Sequence, residues 1–336
     1  MAASIWSVAD LLRGDYKRHE YGQVILPFTL LRRLDAVMAP TRDAVRERDA
    51  ALTLDNKYPV LKHVAGLPFY NTSKQNFATI ASDSGNVVKN LVDYVNGFST
   101  NVQEVLGRFE LNTQITRLAS AKILYQVVGR FAEMRDLDQL SNHEMGYVFE
   151  HLIRKFAEDS NETAGEHFTP REVIELMVNL LIAPDRDAVA KPGQVINILD
   201  PACGTGGMLT AAADHIEKIN PNANVYLYGQ ELNAESWAVC RSDMIMSEHE
   251  GEIAFGNSFS DDAFKGKKFD YMLANPPFGG VEEGQGRRRG RGRTRPRGPV
   301  RRRTPPHQRR LVPVPAAHDL EDGTGDGHGA TGAPGR

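Results

Sequence analysis

Cysteine is scarce in this sequence of 336 residues, where only Cys203 and Cys240 occur. So few thiols exclude a small secreted scaffold held together by disulfides. Long hydrophobic runs are also missing, because no apolar stretch approaches the roughly 20 residues that cross a membrane. Residues 1–40 lack the basic start, apolar middle and small-residue cleavage site of a signal peptide. With a hydrophobic content of 41%, these absences predict a soluble cytoplasmic protein with a buried core.

The end of the chain lacks the residues that build a core. After Gly279 there is no aromatic, Ile, Met, Lys, Asn or Ser residue, and Arg, Gly and Pro dominate. We therefore expect residues 286–336 to form a disordered tail. This tail holds 13 of the 40 basic residues, so that residues 1–286 carry 27 basic against 39 acidic side chains. A body this acidic attracts nucleic acid weakly, and DNA contact would need a local basic patch or a partner.

Two patterns of apolar residues divide the rest of the chain. Up to about Ala157 apolar residues recur three or four positions apart, which predicts a helical domain over residues 1–158. Beyond Thr169 helix and strand signals alternate, which predicts a parallel sheet covered by helices in a domain over residues 159–285. The expected strands are Val195–Asp200, Val225–Glu231, Ile253–Asn257 and Phe269–Ala274, and the expected helices are Glu172–Leu181, Met208–Ile219 and Ala234–Glu248.

A glycine-rich turn, Asp200–Gly207, joins the first expected strand to a helix. Glycines allow a sharp turn and the close approach of a ligand, and the free N–H groups at a helix start suit a carboxylate or phosphate. In proteins at large such a turn more often serves a dinucleotide or a phosphate, and it can also be a tight turn without any ligand. The turn alone therefore leaves its ligand open.

An acidic residue, Glu231, ends the next expected strand. Its carboxylate can accept two hydrogen bonds from the hydroxyls of a ribose. That role fits NAD and S-adenosylmethionine equally, and a carboxylate here can also cap the following helix.

The tetrapeptide Asn275-Pro276-Pro277-Phe278 directly follows the last expected strand. The two prolines fix the backbone and remove two N–H donors, so that neighbouring carbonyls can face outward as acceptors. Asn275 adds an amide oxygen, and Phe278 adds a face for stacking. These groups suit a planar ring with an exocyclic amine, whereas in an ordinary loop Phe278 would belong to the core.

These three motifs, preceded by the segment Glu166–Arg171, resemble an amino-group DNA methyltransferase, and most closely the modification subunit of type I restriction-modification systems. The resemblance covers about residues 1–280 and includes the helical start. It implies an α/β fold in which an N-terminal helical domain precedes a Rossmann-like, S-adenosylmethionine-dependent methyltransferase sheet, truncated at its C-terminal end. The implied activity is methyl transfer from S-adenosylmethionine to N6 of adenine in DNA.

The resemblance also implies a role for each matching residue. Asp200 and Gly204–Gly207 would surround the methionine part of S-adenosylmethionine, Glu231 would hold the ribose hydroxyls, and the segment Glu166–Arg171 would lie along the cofactor. The target adenine would leave the DNA helix and stack on Phe278. The implied catalytic residues are Asn275, Pro276, Pro277 and Phe278, and the implied cofactor-binding residues are Glu166, His167, Phe168, Thr169, Pro170, Arg171, Asp200, Gly204, Thr205, Gly206, Gly207 and Glu231.

The implied partners are double-stranded DNA, a separate specificity subunit that recognises the DNA sequence, a second modification subunit and a restriction subunit. We expect no membrane to be involved. The spacing of histidines and cysteines predicts no metal site.

Other functions share part of this set of motifs. A nicotinamide dehydrogenase shares the turn and the acid but has no use for the tetrapeptide. A protein-glutamine or RNA methyltransferase shares the cofactor and the tetrapeptide, whereas the segment Glu166–Arg171 and the long helical start favour the DNA enzyme. The tail also leaves open an inactive fragment that only binds a partner or the cofactor.

Twelve arginines lie between Arg287 and Arg310, and such a run usually forms a nucleic-acid-binding arm. Synonymous codons for Pro305–Thr324 can, however, be chosen so that the reading frame one nucleotide later encodes RLINDGSFLFLQHMISKMEP. That string has a helical apolar pattern and resembles the stretch that follows the tetrapeptide in the type I family. We therefore expect the residues after about Gln285 to be translated out of frame, and the activity of the chain to be impaired or absent.

Overall fold

The computed structural model describes residues 2–160, 169–247, 249–276 and 311–313. The first of these stretches is helical, and helices alternate with strands after residue 169, as the apolar periodicity predicts. The helices are α1 (Ala2–Leu12), α2 (Gly22–Met38), α3 (Arg42–Ala51), α4 (Tyr58–Ala65), α5 (Phe77–Ser82), α6 (Val87–Asn96), α7 (Thr100–Arg108), α8 (Leu111–Ser120), α9 (Leu124–Ala132), α10 (Asn142–Ser160), α11 (Arg171–Ile182), α12 (Arg186–Val189), α13 (Gly207–Ile219) and α14 (Ala234–Met246). Short 3-10 turns lie at Arg18–Glu20, Ser84–Asn86, Arg135–Asp138 and Ala183–Asp185.

The sheet contains the strands β1 (Val195–Asp200), β2 (Asn224–Glu231), β3 (Glu250–Phe255), β4 (Tyr271–Ala274) and β5 (Leu311–Pro313). Their order is β3-β2-β1-β4-β5, and every neighbouring pair is parallel. Each connection between β1, β2 and β3 contains a helix, which returns the chain to the starting edge of the sheet. The fold is therefore a helical region followed by a helix-covered parallel sheet, and the predicted fold class is confirmed.

Three strands differ from the sequence prediction at their ends, and β2 differs only by beginning one residue earlier, at Asn224. β3 begins at Glu250 rather than Ile253, because the polar residues there pair with β2 and satisfy their backbone groups in the sheet. It ends at Phe255, before Gly256 turns the chain with φ at 141°. β4 begins at Tyr271 rather than Phe269, whose ring instead packs 5.3 Å from that of Tyr228.

The strand β5 belongs to the segment that the composition predicts to lack structure. Its three residues pair with β4, which otherwise presents unpaired N–H and C=O groups at the edge of the sheet. The remaining residues of the predicted tail, 286–310 and 314–336, lie outside the described residues.

Helix α2 forms the centre of the helical region, with residues buried on all its sides. In the second region α13 packs on β1 and β2, and α14 packs on β2 and β3. Helix α7 joins the two regions by packing against α14. There the Arg108 guanidinium lies 4.1 Å from the centre of the Phe255 ring. None of the described helices is long and apolar enough to span a bilayer.

Candidate active site

A cavity of about 580 Å³ opens at the carboxyl edge of the sheet, where β1 to β4 end. Strands β2 and β3 lie on one side of β1 and β4 lies on the other. Open parallel sheets bind ligands where the strand order reverses in this way. The predicted site residues that line the cavity are Thr169, Asp200, Gly204, Thr205, Gly207, Glu231 and Asn275.

The turn between β1 and α13 depends on two glycines in the left-handed region. Gly204 has φ at 54° and Gly206 has φ at 90°. A Cβ on Gly206 would lie 2.7 Å from Cys240 Sγ, so both the backbone conformation and the available space require glycine there. The Cys203 N–H donates to the Gln230 carbonyl over 3.1 Å and ties the turn to β2. The first turn of α13 thereby starts at the cavity wall.

Asp200 ends β1 and is only 1% exposed. Its Oδ1 accepts a hydrogen bond of 3.0 Å from the Ala202 N–H. The pKa of the Asp200 carboxyl is raised to about 7, mainly by burial. The hydrogen bond from the Ala202 N–H opposes this rise, and the nearby charge of Glu231 adds to it. A carboxyl held in this state would ionise more readily beside a positively charged ligand.

Glu231 ends β2, and both of its carboxylate oxygens hold backbone groups. Oε2 accepts from the Gly204 N–H over 2.9 Å, and Oε1 accepts from the Asn233 N–H over 2.6 Å. The helix cap of α14 is instead the side chain of Asn233, which accepts from the Ser236 N–H. A carboxylate oxygen can accept more than one hydrogen bond. Each Glu231 oxygen can therefore accept a further hydrogen bond from a group in the cavity.

Asn275 and Thr169 are in direct contact at the lining of the cavity, although they are 106 residues apart in the chain. Asn275 follows β4, and Thr169 precedes α11. The Asn275 Nδ2 donates to Thr169 Oγ1 over 2.9 Å. The structure thus brings a predicted catalytic residue and a predicted cofactor-binding residue into contact.

Arg171 lies outside this cavity, although the segment that contains it predicts cofactor contact. Its guanidinium carbon lies 4.1 Å from the centre of the Tyr147 ring, and its Nη2 lies 4.0 Å from Asp214 Oδ2. The arginine lines a separate cavity of about 220 Å³ behind the glycine-rich turn. Pro170 caps the start of α11. Neither Pro170, Gly206 nor Pro276 is among the residues that line the larger cavity.

Five predicted site residues have no description in the structure. They are Glu166, His167, Phe168, Pro277 and Phe278, which lie outside the described residues.

The loop after β3 also lines the cavity, and none of its residues is among the predicted site residues. It contributes Gly256, Asn257, Ser258 and Phe259, and Phe259 is 85% exposed. The Gln230 side chain holds this loop by donating to the Asp261 carbonyl and accepting from the Ala263 N–H. The position of this loop after a parallel strand could have predicted its place in the site, because every such loop reaches the same edge of the sheet.

The smaller cavity contains a group that the sequence spacing did not predict. Potential ligand atoms of Asp214, Glu217 and His249 lie within 4.8 Å of one another. Glu217 is half exposed, and the Arg171 guanidinium beside Asp214 would compete with a cation for its carboxylate.

Comparison with known sequences identifies relatives of both regions. The family described as HsdM N-terminal domain matches residues 1–131, and the family described as N-6 DNA Methylase matches residues 140–300. The type I restriction enzyme MjaIX methylase subunit from Methanocaldococcus jannaschii is 25% identical over 305 residues, which cover 83% of this chain and 51% of that protein. The type I restriction enzyme EcoEI methylase subunit from Escherichia coli is 28% identical over 176 residues, which cover 49% of this chain and 34% of that protein. The chain spans about half the length of the first relative, or 51%.

A solved structure shares the fold. The type I restriction-modification system methyltransferase subunit from Streptococcus thermophilus has a TM-score of 0.60 and 19% sequence identity, covering 82% of this chain and 62% of that one. At this identity the likeness concerns the fold alone.

Proposed function

Because this chain belongs to the modification subunits of type I restriction-modification systems, we propose that it transfers a methyl group from S-adenosylmethionine to N6 of adenine in double-stranded DNA. One observation carries the proposal. A single cavity gathers Asp200 and Glu231, which end β1 and β2, and Asn275, which directly follows the neighbouring strand β4.

The lining of the cavity fits S-adenosylmethionine, which carries positive charge and a ribose. The volume of about 580 Å³ lies within the usual range for small-molecule sites. Asp200 offers a buried carboxyl whose pKa of about 7 allows it to ionise beside a cation. Glu231 offers acceptors for the ribose hydroxyls next to the glycine-rich turn, to which it is bonded through the Gly204 N–H.

When bound, S-adenosylmethionine supplies an electrophilic methyl group. The residues of this chain hold the target amine in the correct orientation for attack. The Asn275 Oδ1 and the Pro276 carbonyl accept hydrogen bonds from the two N–H groups of the adenine amine, which directs the nitrogen lone pair into the cavity. Phe278 provides a stacking surface for the extruded base, worth roughly 1 to 3 kcal/mol. Proximity and orientation then supply most of the rate enhancement.

The charge of the chain supports a role inside a larger assembly. Residues 1–286 carry 27 basic and 39 acidic side chains, and such a surface attracts the DNA phosphates weakly. We infer that a specificity subunit supplies most of the DNA contact and the sequence recognition. A second modification subunit and a restriction subunit complete the proposed assembly. The relatives are likewise methylase subunits of type I restriction enzymes.

The test has two stages. Calorimetric titration of the purified chain with S-adenosylmethionine should give saturable binding. The chain is then co-expressed with a specificity subunit and incubated with unmethylated DNA and cofactor labelled in its methyl group. Labelled N6-methyladenine in the hydrolysed DNA is the expected product, at the impaired rate expected of a chain that is out of frame after about Gln285. Label recovered in RNA or protein instead, or cofactor binding without transfer to any of the three, would reject the proposed activity.

A further inference from the structure

We propose that Thr169 is a positioning residue that holds the Asn275 side-chain amide with its oxygen toward the cavity. This inference rests on the proposed function, in which that oxygen accepts a hydrogen bond from the target amine. It assigns Thr169 a task beyond the cofactor contact that the resemblance implies.

The geometry of the contact is simple. The Asn275 Nδ2 donates to Thr169 Oγ1 over 2.9 Å, and both residues line the cavity. Among the described residues the Asn275 amide makes no other hydrogen bond. Because Oδ1 and Nδ2 project from the same carbon, fixing the nitrogen on Thr169 turns the oxygen away from it. The oxygen is then available to a group bound in the cavity.

The two ends of an asparagine amide have opposite hydrogen-bonding character. The oxygen accepts, whereas the NH₂ group donates. A half turn about the terminal torsion exchanges them, and this torsion is broad and nearly two-fold. A flipped Asn275 would present N–H groups to the N–H groups of the target amine, so no hydrogen bond could form. Methyl transfer therefore requires one of the two orientations to be held.

The position of the Thr169 hydroxyl is determined by the element that follows it. Pro170 has φ at −54° and caps α11, and its carbonyl accepts from the Val173 and Ile174 N–H groups. Helix α11 packs against α13, the helix that begins with the glycine-rich turn. A β-branched side chain also has few rotamers. The acceptor for Asn275 is thus attached to the same framework as the cofactor pocket.

The hydroxyl can also respond to a ligand. A threonine oxygen can accept from Asn275 while its own proton is donated to another acceptor. If an acceptor on a bound ligand received a hydrogen bond from the Thr169 hydroxyl, the Thr169 oxygen could only accept from Asn275. Cofactor binding would then stabilise the productive amide orientation.

The first test observes the amide directly, without any enzymatic turnover. Protein labelled with ¹⁵N-asparagine is examined by NMR, and the Asn275 side-chain signals are identified by their loss in Asn275→Ala. Thr169→Val should shift these signals and speed the exchange of their protons with solvent, whereas Thr169→Ser should preserve them. Thr210→Val is the matched control, because among the described residues the Thr210 hydroxyl donates only to the Gly206 and Gly207 carbonyls, each at 3.3 Å. Thermal melting of each variant checks its fold, and Thr169→Ala replaces Thr169→Val if the latter fails to fold.

The second test measures S-adenosylmethionine affinity and the single-turnover rate of methyl transfer in the complex with a specificity subunit. We expect Thr169→Val to slow transfer about threefold to tenfold, the effect of one lost neutral hydrogen bond. The rate should fall more than the cofactor affinity, and Thr169→Ser should restore it.

The proposal is overturned if the Asn275 signals are the same in Thr169→Val as in the parent, or if Thr169→Ser behaves like Thr169→Val. Weaker cofactor binding with unchanged Asn275 signals would make Thr169 a cofactor contact only. If the parent neither binds the cofactor nor transfers methyl groups, the proposed function fails, while the NMR result still decides whether Thr169 orients Asn275.

Discussion

At the scale of single residues, Asn275 and Glu231 lie on different strands around one cavity. Asn275 follows β4, and Glu231 ends β2, with β1 between these two strands. Glu231 bonds to the glycine-rich turn, whereas the amide of Asn275 bonds to Thr169. The separation predicts that the two residues affect different steps, cofactor binding for Glu231 and transfer for Asn275.

We predict that Asn275→Ala reduces methyl transfer by on the order of a hundredfold or more while cofactor affinity stays nearly unchanged. The substitution removes one preorganised acceptor for the target amine. Single-turnover transfer and calorimetric titration of the same preparation provide the comparison. Equal turnover by variant and parent in a competent complex would refute the catalytic role.

For Glu231→Ala we expect weaker binding of S-adenosylmethionine, by roughly tenfold to a hundredfold. The lost contacts are charge-assisted hydrogen bonds worth roughly 1.5 to 3 kcal/mol. The variant also removes the acceptors of the Gly204 and Asn233 N–H groups. Glu231→Gln retains one of these acceptors, and its affinity for S-adenosylmethionine should lie between those of the parent and Glu231→Ala. Glu252→Ala is the control, because Glu252 is an exposed residue of β3 that pairs with Lys267. If Glu231→Ala had the same dissociation constant as this control, that result would count against the ribose contact.

We predict that Asp200 makes the binding of S-adenosylmethionine depend on pH. Its pKa of about 7 in the free protein results mainly from burial, so the carboxyl is mostly protonated at pH 6 and mostly ionised at pH 8. A cationic ligand binds the ionised form better, and affinity for S-adenosylmethionine should therefore rise as pH increases through about 7, with release of a proton on binding below that pH. Calorimetry between pH 6 and pH 8 measures both effects. Asp200→Asn should abolish the dependence, and a parent protein with the same affinity at both ends of this range would contradict the assignment.

At the scale of elements, the turn from β1 into α13 imposes the strictest steric requirement in the site. Gly206 combines φ at 90° with a close approach to Cys240 Sγ. The Cys203 thiol lines the same cavity and is buried. A hydrogen bond with Cys240 and burial raise the pKa of Cys203 well above its ordinary value. These cysteines therefore act as small buried side chains at the base of the turn.

We predict that Gly206→Ala lowers the free energy of unfolding by roughly 1 to 3 kcal/mol. The new methyl group would clash with Cys240, and alanine would have to adopt a positive φ that it disfavours. The double variant Gly206→Ala/Cys240→Ala should recover the steric part only. Gly107→Ala in α7 is the control, since a Cβ there meets nothing within 4 Å. Urea denaturation followed by circular dichroism compares the three variants, and equal stability of Gly206→Ala and Gly107→Ala would reject the requirement.

At the scale of the whole molecule, the helical region and the sheet share one continuous hydrophobic cluster, which runs from Ile5 in α1 to Leu273 in β4. Arg108 of α7 covers the Phe255 and Trp237 rings of the second region. The Trp237 Nε1 in turn donates to the Ile253 carbonyl over 2.9 Å. The helical region thus supports the helix α14 that covers β2 and β3. The domain boundaries at residues 158 and 285 remain predictions.

The arginine-rich end of the chain leads to a prediction about the gene. We predict that the reading frame changes after about Gln285, so that resequencing recovers a continuation containing the string encoded one nucleotide later. The physical reason is that Arg, Gly and Pro dominate this stretch, whereas the alternative string has the apolar spacing of a helix. Sequencing of the gene and mass spectrometry of the purified protein provide the measurement. A confirmed frame whose actual codons yield no such string would make the basic tail genuine and restore its interpretation as a nucleic-acid-binding arm.

The sequence alone determined the elements and the edge of the sheet where the motifs meet. The apolar spacing predicted β1 at Val195–Asp200, as observed, and predicted α13 to within one residue. Local periodicity is sufficient for this, because an apolar side chain every second or every third to fourth position reports strand or helix directly. The motifs at the ends of β1, β2 and β4 could be assigned to one site because parallel strands end at the same edge.

Only the tertiary structure decided which of these side chains meet. The contact between Thr169 and Asn275, the orientation of Arg171 toward Tyr147, and the contribution of Phe259 to the cavity could not be predicted from spacing. The same holds for β3, whose first residues are polar and pair through their backbone. Periodicity describes neighbours along one element, whereas the direction of a side chain relative to a residue about a hundred positions away depends on how the helices pack on the sheet.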